Sequence, residues 1–148
     1  RMLKYAAFAL LVAMIGISEA SMQNVTVKGI AICDKHRLPN IVVELWEKDT
    51  ISKNDVLAST HTDAGGEFIL RGGNSELFKI KPYIKIHHEC KTSSNVNQTC
   101  TRKSKYDIPS EFIWNADTKG EDRKIYYMNY INLDIFTEGD KELCEKKK

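Results

Sequence analysis

A chain of 148 residues with 42% hydrophobic and 28% charged residues and a formal net charge of +2 fits one globular domain able to bury its own core. Acidic and basic residues are interspersed, which excludes a general nucleic-acid binder, because phosphate contacts demand a concentrated basic face. The basic blocks Arg102-Lys103-Ser104-Lys105 and Lys146 to Lys148 read more simply as a solvated strand and a solvated tail.

Residues 1–20 read as a signal peptide. Lys4 supplies a basic start, Tyr5 to Ile17 an apolar run, and Ser18-Glu19-Ala20 small residues at the minus-three and minus-one positions of a cleavage site. The run falls short of the roughly 20 residues a spanning helix needs, and no second apolar segment follows it, so the protein is expected to be secreted and not membrane-spanning. Removal of residues 1–20 takes away Arg1, Lys4 and Glu19 and leaves a charge of +1.

In residues 21–137 the apolar pattern repeats every two residues. Val25, Val27, Gly29, Ala31 and Cys33 alternate with Thr26, Lys28, Ile30 and Ile32, so this first strand is apolar on both faces and belongs inside its sheet. After a polar turn at Asp34 to Asn40, the second strand sets Ile41, Val43 and Leu45 against Val42, Glu44 and Trp46. Val56 to Thr62 is a third strand, ended by the turn Asp63-Ala64-Gly65-Gly66, and Glu67 to Arg71 a fourth, with Phe68 and Leu70 inward. Gly72-Gly73-Asn74-Ser75 reads as a break in the chain.

Ile80 to Glu89 is the best-defined strand. Ile84, Ile86 and His88 lie on one face and Tyr83, Lys85, His87 and Glu89 on the other. Thr99 to Ile108 reads as its partner, followed by an apolar cluster at Phe112 to Trp114 and a polar loop from Asn115 to Asp122. Ile125 to Phe136 is expected to be a long central strand with Ile125, Tyr127, Asn129, Ile131, Leu133 and Ile135 on one face. Its other face, Tyr126, Met128 and Tyr130, is either packed by neighbouring strands or lines a contact surface. Residues 138–148 read as a charged tail tethered by a disulfide. Seven to eight short strands without an amphipathic helix give an all-β class, an antiparallel β-sandwich.

Cys33, Cys90, Cys100 and Cys144 form an even set, which in a secreted chain means two disulfides and allows three connectivities. The polar segment Lys91 to Thr99 suggests a loop closed by Cys90 with Cys100, which leaves Cys33 for Cys144. His87 and His88 point to opposite faces of a regular strand and cannot share one ion; no metal site is expected. No Gly-x-Ser-x-Gly elbow is present and the cysteines are better used in bridges, so no catalytic residue is assigned. Asn97-Gln98-Thr99 and Asn24-Val25-Thr26 match the N-glycosylation acceptor pattern, Asn97 being the better placed in a polar loop. Lys79, Lys81, Lys85, Arg102, Lys103 and Lys105, with His87, are the candidate contact surface, suited to acidic head groups or glycans.

These pieces together resemble the nematode transthyretin-like family. The matching residues are Val27-Lys28-Gly29 with Cys33, Val42 to Trp46, Thr62 to Phe68, Pro82 to Cys90, Cys100 to Lys103, Ile108-Pro109, Ile131-Asn132-Leu133 and the late Cys144, in the family's order. The resemblance implies a secreted protein with a transthyretin-type (prealbumin-like) sandwich and a binding role, contacting a cell surface or another extracellular protein, without common catalysis and without a cofactor. A carrier of a small hydrophobic ligand is the alternative. The related hydroxyisourate hydrolases end in Tyr-Arg-Gly-Ser, whereas this sequence ends in Glu142 to Lys148, so hydrolysis is the weaker expectation.

Overall fold

The computed structural model describes residues 19–49, 52–117 and 124–148. Most of the expected signal peptide and the centre of the expected Asn115 to Asp122 loop therefore lie outside the described residues. The described elements are β1 (Ser21–Cys33), β2 (His36–Arg37), β3 (Val42–Glu47), β4 (Asp55–His61), β5 (Glu67–Glu76), β6 (Pro82–His88), β7 (Gln98–Asp107), β8 (Trp114–Asn115), β9 (Ile125–Asn132) and β10 (Lys141–Lys146). A short 3-10 turn, Ser110–Phe112, precedes β8. The fold is all-β, in two five-stranded sheets.

β1 organises the first sheet. It pairs antiparallel with β5 along Ser21 to Ile30, with β8 at Gln23 and Asn24 and with β2 at its C-terminal end. β9 adds to it in parallel, the one parallel pair among the described residues. Two-sided pairing is what the two apolar faces of β1 anticipate. The second sheet has the order β10-β7-β6-β3-β4. Between the sheets, Val25, Val27 and Ala31 of β1, Phe68 and Leu70 of β5, and Ile131 and Leu133 meet Val43 and Leu45 of β3 and Ile84 and Ile86 of β6.

Three strand expectations change. Gly72-Gly73 does not break the chain; β5 runs on to Glu76. A Cβ at Gly73 would collide with the Gln23 carbonyl oxygen of β1, so glycine here serves close strand approach inside the ladder. The expected long last strand stops at Asn132 and, among the described residues, pairs only with β1. Inside it, Met128 and Asn129 together oppose the single residue Gly29, a bulge with Asn129 at φ 55°. The extra residue resets the alternation. Tyr126 before the bulge and Met128 within it pack on the core, Ile131 is buried after it, and Tyr127 and Tyr130 are both exposed. Finally, Lys141–Lys146, expected as tail, forms the edge strand β10 against β7.

The disulfide pairing also differs from the expectation. Cys33 bonds Cys90 and Cys100 bonds Cys144. Extending the β6–β7 register from the His88–Arg102 pair would set Cys90 opposite Cys100. However, β6 ends at His88, Cys90 lies past it bonded to Cys33 at the end of β1, and the chain then turns through Lys91 at φ 51°. β10 then supplies Cys144 directly opposite Cys100 in the ladder. One bridge staples the two sheets and the other ties the edge strand. Closing loops with sequence separations of 57 and 44 residues removes about 4 kcal/mol each from the unfolded ensemble in the chain-entropy picture.

Gly29 sits where the first sheet meets the core, and a Cβ there would lie 2.8 Å from Phe68 Cζ and 2.9 Å from Ile131 Cδ1. Gly29→Val is therefore expected to cost about 1–3 kcal/mol by overpacking. Urea unfolding with intact disulfides reads this as a lowered midpoint at unchanged slope.

Candidate functional site

The pleat of β6 and β7 sorts most of their side chains between core and surface. Ile84, Ile86 and His88 of β6, with Cys100, Arg102 and Ser104 of β7, are buried, while Lys85, His87, Lys103 and Lys105 look outward with intermediate exposure. Register then assembles the outer face. Lys85 lies opposite Lys105, and Lys103 lies between His87 of β6 and Lys141 of β10. From the other side β3 sets Glu44 opposite Lys85 and Trp46 opposite Tyr83. Four lysines from three strands thus share one face.

Glu44 holds its inner rim together. Its Oε2 accepts a hydrogen bond from Trp46 Nε1 at 2.7 Å and lies 2.9 Å from His87 Nε2. Burial pushes the Glu44 carboxyl up, but the hydrogen bonds from Trp46 and His87 outweigh it and leave the pKa below the ordinary value. The Trp46 and Tyr83 rings stack with centroids 6.3 Å apart. Lys85 Nζ stands 3.8 Å above Trp46, and Lys105 Nζ 4.5 Å from the Tyr83 centroid, so the ammonium groups are fixed over π-faces. Partial burial lowers the Lys85 pKa; Glu44 opposes this, and Lys103, Lys141 and Lys105 add to the lowering.

Arg102 is not part of this face. As an even-numbered residue of β7 it points inward and is fully buried; Nη2 donates to the Leu133 carbonyl and Nε lies 3.4 Å from Asp140 Oδ2. The Phe136 ring covers its guanidinium at 3.8 Å. Lys79 and Lys81 also lie elsewhere, in a groove with Glu47, Lys48, Asp49 and Phe78. Glu44, Trp46, Tyr83 and Lys141 are the residues the sequence reading left out. Alternation alone puts Glu44 and Trp46 on one side of their strand, but nothing in it says that this side faces the same way as Lys85.

His88 is a core residue. It is 3% exposed, its Nδ1 accepts the Cys90 backbone N–H at 3.1 Å, and its Nε2 therefore carries the proton donated to Ser104 Oγ at 2.8 Å. Burial, reinforced by the Arg102 guanidinium, lowers its pKa from 6.5 to about 4. His87 and Glu89 are not brought together; His87 turns to Glu44 and Glu89 lies past the end of β6. The groups of potential ligands within reach of one another, Cys33, Cys90 and Asp134, and Cys100, Glu142 and Cys144, each contain a disulfide, whose sulfurs are not thiolates.

The glycosylation candidates separate by position. Asn97 is exposed in the loop before β7, where only its backbone is engaged, with Asn95 and Lys147. Asn24 lies within β1 between Gly73 of β5 and Trp114 of β8, and Thr26 of its motif is buried.

The model of the transthyretin-like family matches residues 28–109, more than half of the chain. This chain belongs to the transthyretin-like family. Among its relatives, Transthyretin-like protein 16 of Caenorhabditis elegans is 41% identical over 126 residues, covering 85% of this chain and 86% of the relative. Transthyretin-like protein 46 of the same nematode is 33% identical over 144 residues, covering 95% and 78%, and Transthyretin-like protein 33 is 32% identical over 132 residues, covering 88% and 87%. The two disulfides of this transthyretin-like chain suit an oxidising compartment. No helix among the described residues is long and apolar enough to cross a membrane.

The low pKa of His88 fixes a sign. Between about pH 6.5 and about pH 4 the unfolded chain binds a proton that the folded His88 refuses, so stability falls as pH drops through that window and does not depend on His88 above it. The loss attributable to this residue should reach about 3 kcal/mol. Urea unfolding at a series of pH values should show that decline in the parent and a flatter curve in His88→Gln.

Proposed function

We propose that this chain is a secreted, non-catalytic extracellular binding protein that meets a cell surface or another extracellular protein through the outer face of its second sheet. The observation that carries the reading is the convergence of Lys85, Lys103, Lys105 and Lys141 on one sheet face braced by Glu44, Trp46 and Tyr83. Such a surface attracts and orients an acidic partner, with a long-range gain in encounter rate. Family membership supports a role of this kind without naming the partner.

A small-molecule carrier gains nothing from the interior. Apolar side chains from both sheets occupy it, and Gly29 is needed to admit Phe68 and Ile131. A hydrolase gains nothing from His88, whose two ring nitrogens are both engaged inside the protein.

The test is flow cytometry with labelled, glycosylated protein from a eukaryotic secretory host on a panel of animal cells. The Lys85→Gln/Lys103→Gln/Lys105→Gln variant is expected to lose at least about tenfold in affinity, about 1.4 kcal/mol. A matched Lys48→Gln/Lys79→Gln/Lys81→Gln variant, altered away from the face, should bind like the parent. Equal binding by the parent and the first variant sinks the reading.

The same preparation addresses the glycan. Asn97 is the proposed carrier and Asn24 is enclosed by its neighbours, so intact mass spectrometry should find a single N-glycan that Asn97→Gln removes and Asn24→Gln leaves in place.

A further inference from the structure

Two lysines of the second sheet, Lys85 and Lys103, stand in the wrong places for the usual explanation. Lysine on a sheet commonly protects an exposed edge from pairing with another chain. Lys85 and Lys103 stand where β6 and β7 are paired on both sides, whereas Lys105 lies two residues past the end of the β10 ladder. Edge protection explains Lys141 on β10 and Lys105 at the end of β7 that β10 does not cover, but not Lys85 and Lys103.

Nor does the array help the fold. Like charges directly opposite one another in a ladder are destabilising, and Lys85 faces Lys105 while Lys103 faces Lys141. Compensation inside the protein is partial: Glu44 favours the charged form of Lys85, and Glu138 shares a cleft with Lys105. Asp107 approaches Lys105 at 3.6 Å from a largely exposed position, and the Glu44 carboxylate is already engaged by Trp46 and His87. The folded state therefore holds a cluster of cations that an external polyanion would neutralise.

Resting on the contact reading above, we infer that this face binds a sulfated, linear acidic glycan lying across β6, β7 and β10. The surface repeats along two directions: neighbouring strands place the lysine side chains about 5 Å apart at their bases, and alternate residues of β7 about 7 Å apart. A small single anion would need convergent donors in a concavity, whereas a chain with a charge on every sugar meets such a strip at several points at once. The rings do not offer a platform for nucleobases, because Tyr83 is 4% exposed and Lys85 covers Trp46. A protein partner of ordinary type needs apolar anchors at the centre of its footprint. On this sheet the exposed large apolar side chains are Val56 and Leu143, which sit on the two edge strands. A lipid surface finds one apolar side chain to insert, Leu143 beside Lys141 on the edge strand, and none between Lys85, Lys103 and Lys105. Lysine ammonium groups, acting as point charges, suit sulfate esters.

Immobilised heparin tests this with the folded, disulfide-bonded chain. The parent should be retained at about 0.15 M salt. The Lys85→Gln/Lys103→Gln/Lys105→Gln variant, verified as folded by its circular dichroism and disulfide map, should lose at least about tenfold in affinity, with a shallower dependence of log affinity on log salt. The Lys48→Gln/Lys79→Gln/Lys81→Gln control should elute with the parent, and desulfated heparin and hyaluronan should retain neither. Flow-through of the parent, an equal loss in the control, equal retention on hyaluronan, or preferential binding to phosphatidylcholine vesicles containing phosphatidylglycerol would each overturn the inference. Cells stripped with heparin and chondroitin lyases separate it from the reading beneath it. Lysine-dependent binding that survives stripping defeats the sulfated glycan alone, whereas cell binding indifferent to the lysines defeats the contact face itself.

Discussion

The pleat of two adjacent strands is the constraint on which the rest depends. Along β6 and β7 each successive residue is sent to the opposite side, so one short stretch of chain builds both the core and the surface. Ile84 and Ile86 close the sandwich against Val43 and Leu45 and against the first sheet. Lys85, His87, Lys103 and Lys105, each adjacent in sequence to a buried residue, become a charged plane. A slip of one residue in this register would bury the lysines and expose the isoleucines together, which is why the pairing is tightly specified.

The same alternation brings polar groups inward near the end of the sheet. His88, Ser104 and Arg102 lie beneath the plane, and Asp140 on the approach to β10 closes over Arg102 as its counter-charge. Cys100–Cys144 ties β10 to β7 close by, while Cys33–Cys90 holds the ends of β1 and β6 across the two sheets. The last strand is therefore fastened by ladder, disulfide and buried ion pair at once. This matters for the outer face, because Lys141 reaches it only through β10.

Much of the fold was legible in residue patterns. The two apolar faces of β1 correctly indicate pairing on both sides, the opposite directions of His87 and His88 hold, and His88 is the hydrogen-bonded core histidine its neighbours suggest. Misreadings occurred where a local signal had two physical meanings. Gly72-Gly73 reads as a break but is a point of close contact between strands, and Asn129 keeps a polar–apolar rhythm in the sequence while its positive φ inserts a bulge that resets it. Arg102 was grouped with Lys103 and Lys105 by proximity along the chain, although alternation within β7 already separates them.

The order of residues by itself determined the all-β class, the strand cores and the outward direction of each lysine on its own strand, because the two-residue period is a property of the chain alone. Family membership was equally a matter of sequence, carried by motifs spread along the domain. Only the tertiary structure decided which strands became neighbours, and with that which cysteines met and which lysines shared a plane. Disulfide partners and cross-strand pairs come from segments tens of residues apart, and their register follows from how the two sheets pack, on which local periodicity carries no information.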